Sequence, residues 1–438
     1  MENRLPLYDW IDAALTSVDP GHLVQSRLHL EKNWLRLGPY ENALPAGHLY
    51  LIAAGKAAVA MSQPVLSLLG DRLSGGVIIS KAEPHPTALS GYMHGEIQFF
   101  HGGHPVPTAM SIAAGTAVTQ LLRQTTEDDL VICLISGGAS ALMTAPRVSL
   151  ADWQTLNKAL LASGCTIQEF NAVRQQLDRL KGGGLARQAA PAACVSLILS
   201  DVVGNPLDRI GSGPTVPATA SPAEARHILR RYDLPAQLPE PVWRAVDTVL
   251  NDAVSEPLLD TPRYHEIIGD VGTAARAMAA AVAATDNGYD VHLLTTHLEG
   301  EAREVGKVAA ALAKGLQPAQ ALLLGGETTV TLRGEGRGGR NQELALAAAI
   351  ALEGWPDRLI VALATDGEDG PTPAAGAWVT GETVAQARAL GLEAAVFLAN
   401  NDSYPFFQQV GGLLETGPTG TNVNDLLLIL ARNTGLVV

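Results

Sequence analysis

The stretch VSLILSDVVGNP, residues 195–206, is an apolar run that ends at Asp201 inside a glycine-containing loop. The stretch LIVALATDGEDGPT, residues 359–372, repeats this arrangement around Asp366. In open α/β sheets, buried parallel strands deliver ligand-binding side chains at their carboxyl ends. Both stretches therefore predict a buried parallel strand followed by a loop that holds a carboxylate. An Asx-turn capping the strand is the alternative for each loop, and the recurrence favours a ligand site.

Length and composition favour a multidomain α/β protein. At 438 residues, the chain is long enough for two or three domains. It is 47% hydrophobic but only 5% aromatic, which fits alternating strands and helices better than an aromatic-rich β-sandwich. A formal net charge of −14 argues against a nucleic-acid partner. An anionic substrate would have to be bound by local basic groups.

The three cysteines, Cys133, Cys165 and Cys194, are too few and too far apart for a disulfide framework or a metal cluster. They predict a reducing, cytoplasmic location. Residues 1–7 lack the basic-then-apolar order of a signal peptide. Because no apolar run reaches about 18 residues, no membrane partner is expected. A homo-oligomer remains an open alternative.

Alternating strands and helices are predicted from residue 49 onward, after a region that is expected to be mainly helical. The proline-rich segment 217–241 is interpreted as a domain boundary. It divides the chain into an N-terminal α/β domain, 1–240, and a C-terminal α/β domain, 241–438. The principal buried strands are predicted at 49–54, 130–135, 195–200, 321–324 and 359–364, with a last strand at 423–430.

Two strand-to-helix turns in the N-terminal half are candidate anion sites. In the sequence SGGAS, 136–140, glycines allow the backbone to approach a phosphate closely. A tight turn that binds nothing is an equal alternative, and a serine hydrolase elbow is a poor match because its final glycine is absent. Lys56 follows Gly55 at a similar turn and could reach the same anion, although the residues around it do not form a Walker A motif. A solvated lysine is the alternative.

The densest glycine cluster is GEGRGGRNQE, residues 334–343. It fits G-x-G-x-x-G, but residues 329–333 before it alternate polar and apolar, which predicts a half-exposed strand rather than the buried strand of a dinucleotide site. Arg337 and Arg340 fit better as clamps on phosphate charge, the alternative being solvated arginines in a hairpin. The loop 416–425 could cradle an anion or simply connect two elements. His101 and His104 are interpreted as turn residues, the alternative being contact with the substrate.

Taken together, ten motifs in this order resemble the glycerate 2-kinase family, whose C-terminal part is called the MOFRL domain. They are GKA (55–57), GGHPVP (102–107), SGGASAL (136–142), LKGGGLA (180–186), SDVVG (200–204), GSGPT (211–215), GGE (325–327), GGRNQE (338–343), TDG (365–367) and GPTGTN (417–422).

The resemblance implies ATP- and magnesium-dependent phosphorylation of D-glycerate to 2-phosphoglycerate. It implies two α/β domains, a larger Rossmann-like N-terminal domain and a smaller C-terminal domain with the MOFRL region at about 318–432, and an active site in the cleft between them. The family's catalytic lysine and arginine fall on Lys56 and Arg340. An NAD(P)H-dependent hydroxypyruvate reductase and a non-catalytic sugar-acid sensor are the alternatives.

The remaining site residues are hypotheses, grouped by role. The ATP phosphates are assigned to Ser136, Gly137, Gly138, Ser140, Lys181 and Gly182. Substrate binding or orientation is assigned to Asp201, Asn205, Glu327, Asn341 and Thr421. The magnesium ion is assigned to Asp201 or Asp366.

Overall fold

The structure is a computed structural model that describes residues 5–81, 97–252, 260–285 and 288–432. The chain divides into two compact units. Residues 20–268 form one, called here the parallel-sheet unit. Residues 1–19 and 269–438 form the other, called here the mixed-sheet unit. Each unit combines a six-stranded sheet with helices, so the predicted fold of two α/β domains is confirmed.

The parallel-sheet unit contains two sheets. A small three-stranded sheet comes first, with strands β1 (Leu28–Glu31), β2 (Trp34–Leu37) and β3 (Tyr40–Ala43). The main sheet has six strands, β4 (Leu49–Ala54), β5 (Leu73–Ser80), β6 (Ile97–His101), β7 (Leu130–Ile135), β8 (Ala193–Leu199) and β9 (Arg263–Gly269), in the order β6-β5-β4-β7-β8-β9. The pairs from β6 through to β8 are all parallel. Every residue of β4 and β7 is buried, which explains their unbroken apolar sequences.

The helices of this unit connect the parallel strands and form an additional helical layer. They are α2 (Pro20–Gln25), α3 (Ala58–Leu69), α4 (Ala109–Leu122), α5 (Ala139–Leu142), α6 (Leu150–Ala162), α7 (Ile167–Leu177), α8 (Gly184–Ala189), α9 (Pro222–Arg231), α10 (Leu234–Gln237) and α11 (Glu240–Asp252). Helical connections of this kind are how parallel strands are normally joined.

The expectation that residues before 46 are mainly helical is wrong for residues 28–43. These residues form an antiparallel meander, in which Leu28 pairs with Leu37 and Leu37 with Tyr40. The turns lie at Lys32 and Gly38, both with positive φ. Apart from the exposed Trp34, the large apolar residues alternate with polar ones and lie on a more buried face, so the period of two was the signal that identified strands.

The proline-rich segment 217–241 contains helix starts, and the structure divides the chain elsewhere than at 240. Pro222 is the first residue of α9, where the Ser221 hydroxyl accepts from the backbone N–H of Glu224 at 3.2 Å. Pro241 lies in the first turn of α11. Proline is favoured at such positions because the first helical N–H groups have no intrahelical acceptor. Together α6, α7, α9, α10 and α11 bury a core that includes Trp153, Leu229 and Val246.

The mixed-sheet unit has the strand order β10-β11-β15-β12-β13-β14. Its strands are β10 (Asp290–Leu298), β11 (Gln320–Gly326), β12 (Arg358–Ala364), β13 (Gly376–Thr380), β14 (Leu413–Leu414) and β15 (Asp425–Ala431). Its helices are α1 (Leu7–Ser17), α12 (Val271–Ala283), α13 (Ala302–Gly315), α14 (Arg340–Leu352), α15 (Thr383–Ala389), α16 (Ala394–Ala399) and α17 (Ser403–Val410). Small side chains of α13 and α14, mostly alanines, fill much of the core beside this sheet.

The predicted parallel strand before Asp366 is buried but not parallel to its neighbours. Strand β12 pairs antiparallel with both β13 and β15. In contrast, β8 before Asp201 pairs in parallel with β7, as predicted. The half-exposed strand expected at residues 329–333 is absent. Within that segment, the structure has one isolated bridge, between Glu301 and Thr329.

Helix α1 belongs to the mixed-sheet unit although it lies at the opposite end of the sequence. Trp10 is 1% exposed, and its Nε1 donates to the Thr285 hydroxyl at 3.2 Å. Its ring also meets that of Tyr289 edge-on, with the ring centroids 6.1 Å apart. No sequence pattern indicated this pairing, because it joins segments more than 250 residues apart.

We expect Trp10→Ala to lower the free energy of unfolding of the mixed-sheet unit by about 3–5 kcal/mol, since it empties a large buried volume. Hydrogen exchange of the amides in β11 and β15, compared with those in β4 and β7, would show which unit loses protection. Tyr8→Ala is the matched control, because Tyr8 lies on the same helix and is 51% exposed. Loss of protection in β4 and β7 alone would contradict the assignment of α1.

Candidate active site

The turns after β4 and β7 lie against each other at the carboxyl edge of the parallel sheet. The strands are in register, with Ala54 opposite Ile135. The backbone N–H of Lys56 donates to the Gly137 carbonyl at 2.8 Å, and that of Ala57 donates to the Ser136 hydroxyl at 3.1 Å. The structure therefore brings together the two motifs that the sequence proposed as one anion site.

Asp201 lies on one side of this loop, at Gly137. A Cβ atom at residue 137 would be only 2.0 Å from Oδ2 of Asp201, a separation that no side chain could accept without displacing the carboxylate. Glycine at 137 therefore brings the carboxylate against the backbone of the loop. Asn205, assigned to substrate binding, follows in the same loop with φ of +57° and is half-buried.

Lys56 and His104 lie against the same loop at Gly138. A Cβ atom there would be 3.2 Å from Cδ2 of His104 and 3.5 Å from Cγ of Lys56. Burial, together with the charges of Lys56, Lys81 and Arg174, lowers the pKa of His104 to about 4. His104 is therefore neutral near pH 7, beside a group of cations. It was interpreted from the sequence as a turn residue, and its contact with the loop was missed.

Three of the residues assigned to ATP phosphates have partners within the protein instead. Lys181 is 1% exposed, forms an ion pair of 3.1 Å with Asp178 and donates to the Met143 carbonyl at 2.9 Å. The backbone N–H of Gly182 donates to the Ser212 carbonyl at 3.0 Å, and the Ser140 hydroxyl bonds to that of Ser212 at 2.6 Å. These contacts hold the loop in place, and the assignment of the three residues to the ATP phosphates stays a prediction.

A second group of charged side chains gathers at one edge of the mixed sheet. Because β15 runs antiparallel between β11 and β12, its first residue, Asp425, pairs with Gly326 at the end of β11 and with Ala364 at the end of β12. Glu327 follows β11 directly, and Asp366 lies two residues beyond β12. Sequence analysis identified both, but it treated Asp425 only as the end of a connecting loop.

Arg340 is held by Asp425 in a two-point arrangement. Its Nε lies 2.5 Å from Oδ2 of Asp425 and its Nη2 lies 2.8 Å from Oδ1, while Nη2 is also 3.4 Å from Oε1 of Glu327. Burial alone would lower the pKa of Arg340, but the hydrogen bonds and charge of Asp425 outweigh it and raise the pKa. The guanidinium is permanently charged and its plane is fixed.

The start of α14, which carries Arg340, is capped by Asp369. The Asp369 carboxylate accepts from the backbone N–H groups of Asn341 at 3.1 Å and Gln342 at 2.9 Å, which satisfies two donors of the first helical turn. Burial raises the pKa of Asp369 to about 6, against the effect of these bonds. A Cβ at residue 339 would lie 2.2 Å from Cγ of Asp369, so the glycine before Arg340 permits the cap.

Two residues assigned to substrate orientation are buried in structural roles. The Thr421 hydroxyl donates to the Val18 carbonyl at 2.8 Å and the residue is 4% exposed. Asn341 is 2% exposed, and its side-chain amide lies 3.4 Å from Asp369. Arg337, considered as a second clamp, stacks on the ring of Tyr404 at 4.7 Å. Glu327, by contrast, is an exposed carboxylate that accepts from the Asn424 side chain at 3.2 Å.

Among the residues that the structure describes, no three His, Cys, Asp or Glu side chains are grouped so that they could hold a metal ion. Every helix in that part of the chain is too short or too polar to serve as a transmembrane span.

Comparison with known proteins assigns both halves of the chain. Residues 7–247 match the model of a domain of unknown function, DUF4147, and residues 320–425 match that of the MOFRL family. A glycerate kinase of Rattus norvegicus is 40% identical, over 96% of this chain and 91% of its own length. A D-glycerate 2-kinase of Thermotoga maritima is 40% identical, over 86% of this chain and 89% of its own. A protein of Agrobacterium vitis named "Putative hydroxypyruvate reductase" is 39% identical, over 96% of this chain and 92% of its own length.

A crystal structure of a glycerate kinase from Thermotoga maritima resembles this chain with a TM-score of 0.81 at 36% identity. It covers 97% of this chain, and 98% of that protein is matched. The family resemblance read from the ten ordered motifs is therefore confirmed.

The raised pKa of Asp369 predicts a pH-dependent stability. Since its folded-state pKa of about 6 exceeds the unfolded value of 3.8, the folded state binds the extra proton between these values. The free energy of unfolding should therefore rise as pH falls from about 6 to 4, by on the order of 2 kcal/mol. Urea unfolding of wild type and Asp369→Asn across pH 4–7.5 would isolate this effect. Glu368→Gln, at an exposed neighbour, should track wild type. A pH-independent difference between wild type and Asp369→Asn would contradict the raised pKa.

Proposed function

This chain belongs to the glycerate kinase family with a MOFRL region, and we propose that it transfers the γ-phosphoryl group of ATP directly and in line to the 2-hydroxyl of D-glycerate. As a member of this family, it is a glycerate kinase. We propose four further details of the reaction. The donor is ATP, the ion is magnesium, the acceptor is the 2-hydroxyl group, and the transfer is direct. Two relatives at 37–40% identity are named as 2-kinases, which supports the 2-position.

The observation that carries the proposal is the fixed guanidinium of Arg340. Phosphoryl transfer depends on positioning and on neutralising charge at the transferring group more than on covalent chemistry. With Nε and Nη2 of Arg340 bound to Asp425, Nη1 is the nitrogen left to meet a phosphoryl oxygen. We assign Arg340 to the charge that develops on the γ-phosphoryl group in the transition state.

The loop 136–140 is assigned to the phosphates of ATP, with Lys56 beside it. Lys56 is half-buried at Gly138, where its ammonium group can neutralise the γ-phosphoryl group or the glycerate carboxylate. Lys56 and Arg340 are the two cations that we assign to the charge of the transferring phosphoryl group. Closure of the protein around both substrates would also exclude hydrolytic water.

Asp201 is the best-placed acidic residue for the remaining roles. Magnesium bound to nucleotide phosphates needs only one or two protein carboxylates, so a cluster of three is not required. Asp201, held against the loop by Gly137, fits as a ligand of the ion or as the acceptor of the glycerate 2-hydroxyl proton. Asp366 and Glu327 are the alternatives in the mixed-sheet unit. A bound magnesium ion would offset the charge of the phosphates.

A coupled assay tests the function itself. ATP, magnesium and D-glycerate should yield ADP and a phosphorylated product that ³¹P and ¹³C NMR identify as the 2-phosphate. Omission of magnesium should abolish turnover. The relative named as a hydroxypyruvate reductase motivates a parallel assay with NADH and hydroxypyruvate. NADH oxidation without ATP-dependent product would replace the kinase by the reductase, and binding of glycerate with neither reaction would favour a sensor.

Arg340→Ala should lower kcat by at least about a thousandfold, because it removes charge from the transferring group. Lys56→Ala should lower kcat/KM by about a hundredfold or more. Steady-state kinetics would measure both. Arg388→Ala and Lys158→Ala, at exposed positions on α15 and α6, are matched controls and should retain turnover. Near wild-type turnover by either active-site variant would remove that residue from the mechanism.

Asp425→Asn should leave the fold intact but release the guanidinium of Arg340 from its fixed plane. We expect kcat to fall by on the order of a hundredfold with a much smaller change in KM for ATP, since misplacement of a transition-state contact acts mainly on kcat. Asp290→Asn, which also changes the first residue of a strand in the same sheet but at an exposed position, is the control. An unchanged kcat in Asp425→Asn would show that the two hydrogen bonds to Asp425 do not position Arg340.

A further inference from the structure

Arg174 is a buried cation next to the proposed phosphate loop. It lies on α7, is 5% exposed, and its Nη2 donates to the Ser140 carbonyl at 2.8 Å. Its guanidinium is packed over the rings of Phe170 and Trp153, at 5.1 and 5.7 Å from their centroids. Among the described residues, its Nε has no hydrogen-bond partner. The guanidinium is thus enclosed by two aromatic rings and touches the loop directly.

Within the described part of the chain, the charge of Arg174 is not balanced by a carboxylate of its own. The nearest acidic influence is Asp178, one helical turn further along the chain. Asp178 is already paired with Lys181 at 3.1 Å and accepts hydrogen bonds from Thr144 and from the backbone N–H of Leu180. Arg174, Asp178 and Lys181 are all buried. This cluster therefore carries one excess positive charge inside the protein.

Such an arrangement is costly for the folded protein. A buried charge without an opposite partner loses its hydration and regains little in return. Burial lowers the pKa of Arg174 to about 10, so it nevertheless remains protonated near pH 7. A neutral side chain that filled the space between the rings would avoid this cost. The excess charge is best explained if an anion bound nearby compensates it.

The space beside Gly138 is where this charge acts. His104 touches Gly138, and the charges that act on its ring are those of three cations, Lys56, Lys81 and Arg174. The carboxylate of Asp201 lies instead at Gly137. The loop therefore has cations next to Gly138 and a carboxylate next to Gly137, so an anionic ligand is directed to the space beside Gly138.

We propose that Arg174 is a positioning residue for phosphoryl binding, a buried counter-charge that fixes the Ser140 carbonyl and favours a multiply charged phosphate on the Gly138 side of the loop. This inference rests on the proposed function, because it assigns the side of the loop on which the phosphates of ATP bind. Arg174 itself need not touch the ligand. Its effect is exerted through the loop and through the electric field at Gly138.

Two variants separate the charge of Arg174 from its packing. Arg174→Met keeps an unbranched side chain between the rings but removes the charge, and Arg174→Lys keeps the charge. We expect Arg174→Met to weaken binding of inorganic phosphate by about tenfold, the size expected for one unit charge near an anion in a protein interior. Arg174→Lys should bind within about threefold of wild type. Isothermal titration calorimetry would measure these affinities, and Lys158→Met is the control.

His104 provides a readout that a purely structural role would not change. In Arg174→Met, removal of one of its three cations should raise the pKa of His104, as measured by NMR titration of the ring. In Arg174→Lys that pKa should stay near the wild-type value. Equal loss of phosphate binding in both variants, with an unchanged His104 pKa in Arg174→Met, would overturn the proposal in favour of packing alone. Wild-type affinity in Arg174→Met would overturn it as well.

Wild-type protein gives a measurement that needs no variant to fold. Saturation with inorganic phosphate should raise the pKa of His104, because the anion offsets the cations around the ring. If the pKa of His104 did not change on saturation with phosphate, the anion would bind elsewhere and the inference would be wrong. Failure of the proposed function is distinguishable: phosphate would still bind and shift His104, but ATP and D-glycerate would give no phosphorylated product.

Discussion

The close approach of three turns at the carboxyl edge of the parallel sheet is the constraint on which the rest depends. A Cβ at residue 55 would lie 2.1 Å from the Ser136 hydroxyl oxygen, and one at residue 137 would lie 2.0 Å from the Asp201 carboxylate. Only glycine permits both contacts. Because β4, β7 and β8 are parallel and in register, their turns leave at one edge. Lys56 and Asp201 are thereby both placed against one loop, at Gly138 and Gly137, by the backbone of a rigid sheet.

The mixed sheet also brings charged side chains together at one edge, but it does so with a different topology. Strand β15 enters antiparallel between β11 and β12, so its first residue lies where its two neighbours end. Asp425 is consequently buried at that edge and binds Arg340, which begins α14. Two capping bonds from Asp369 fix the same helix start. The arginine is thus defined by a strand register and a helix cap, and neither depends on a flexible loop.

The local pattern of apolar residues and glycines in the sequence was sufficient to predict the buried strands and the loops that follow them. The residues with roles that depend on distant contacts were not predictable in this way. Asp425 was missed because its importance comes from antiparallel pairing with two strands far away in the sequence. Arg174 was missed because a single arginine in an amphipathic helix gives no sign that two aromatic rings enclose it. The prolines of 217–241 were misread because proline marks helix starts as well as linkers.

The two arginines differ in a way that fits the separate roles proposed for them. Among the described residues, the buried Arg174 has no carboxylate paired with it alone, so in our proposal its charge attracts an anion before any reaction occurs. Arg340 is surrounded by Asp425, Glu327 and Asp369, which offset its attraction for a ground-state phosphate. Interactions that are equally strong in the ground and transition states lower KM without raising kcat. In the proposed mechanism, the carboxylate partners of Arg340 fix the position of its remaining donor, which would then act mainly on the charge that develops as the phosphoryl group moves.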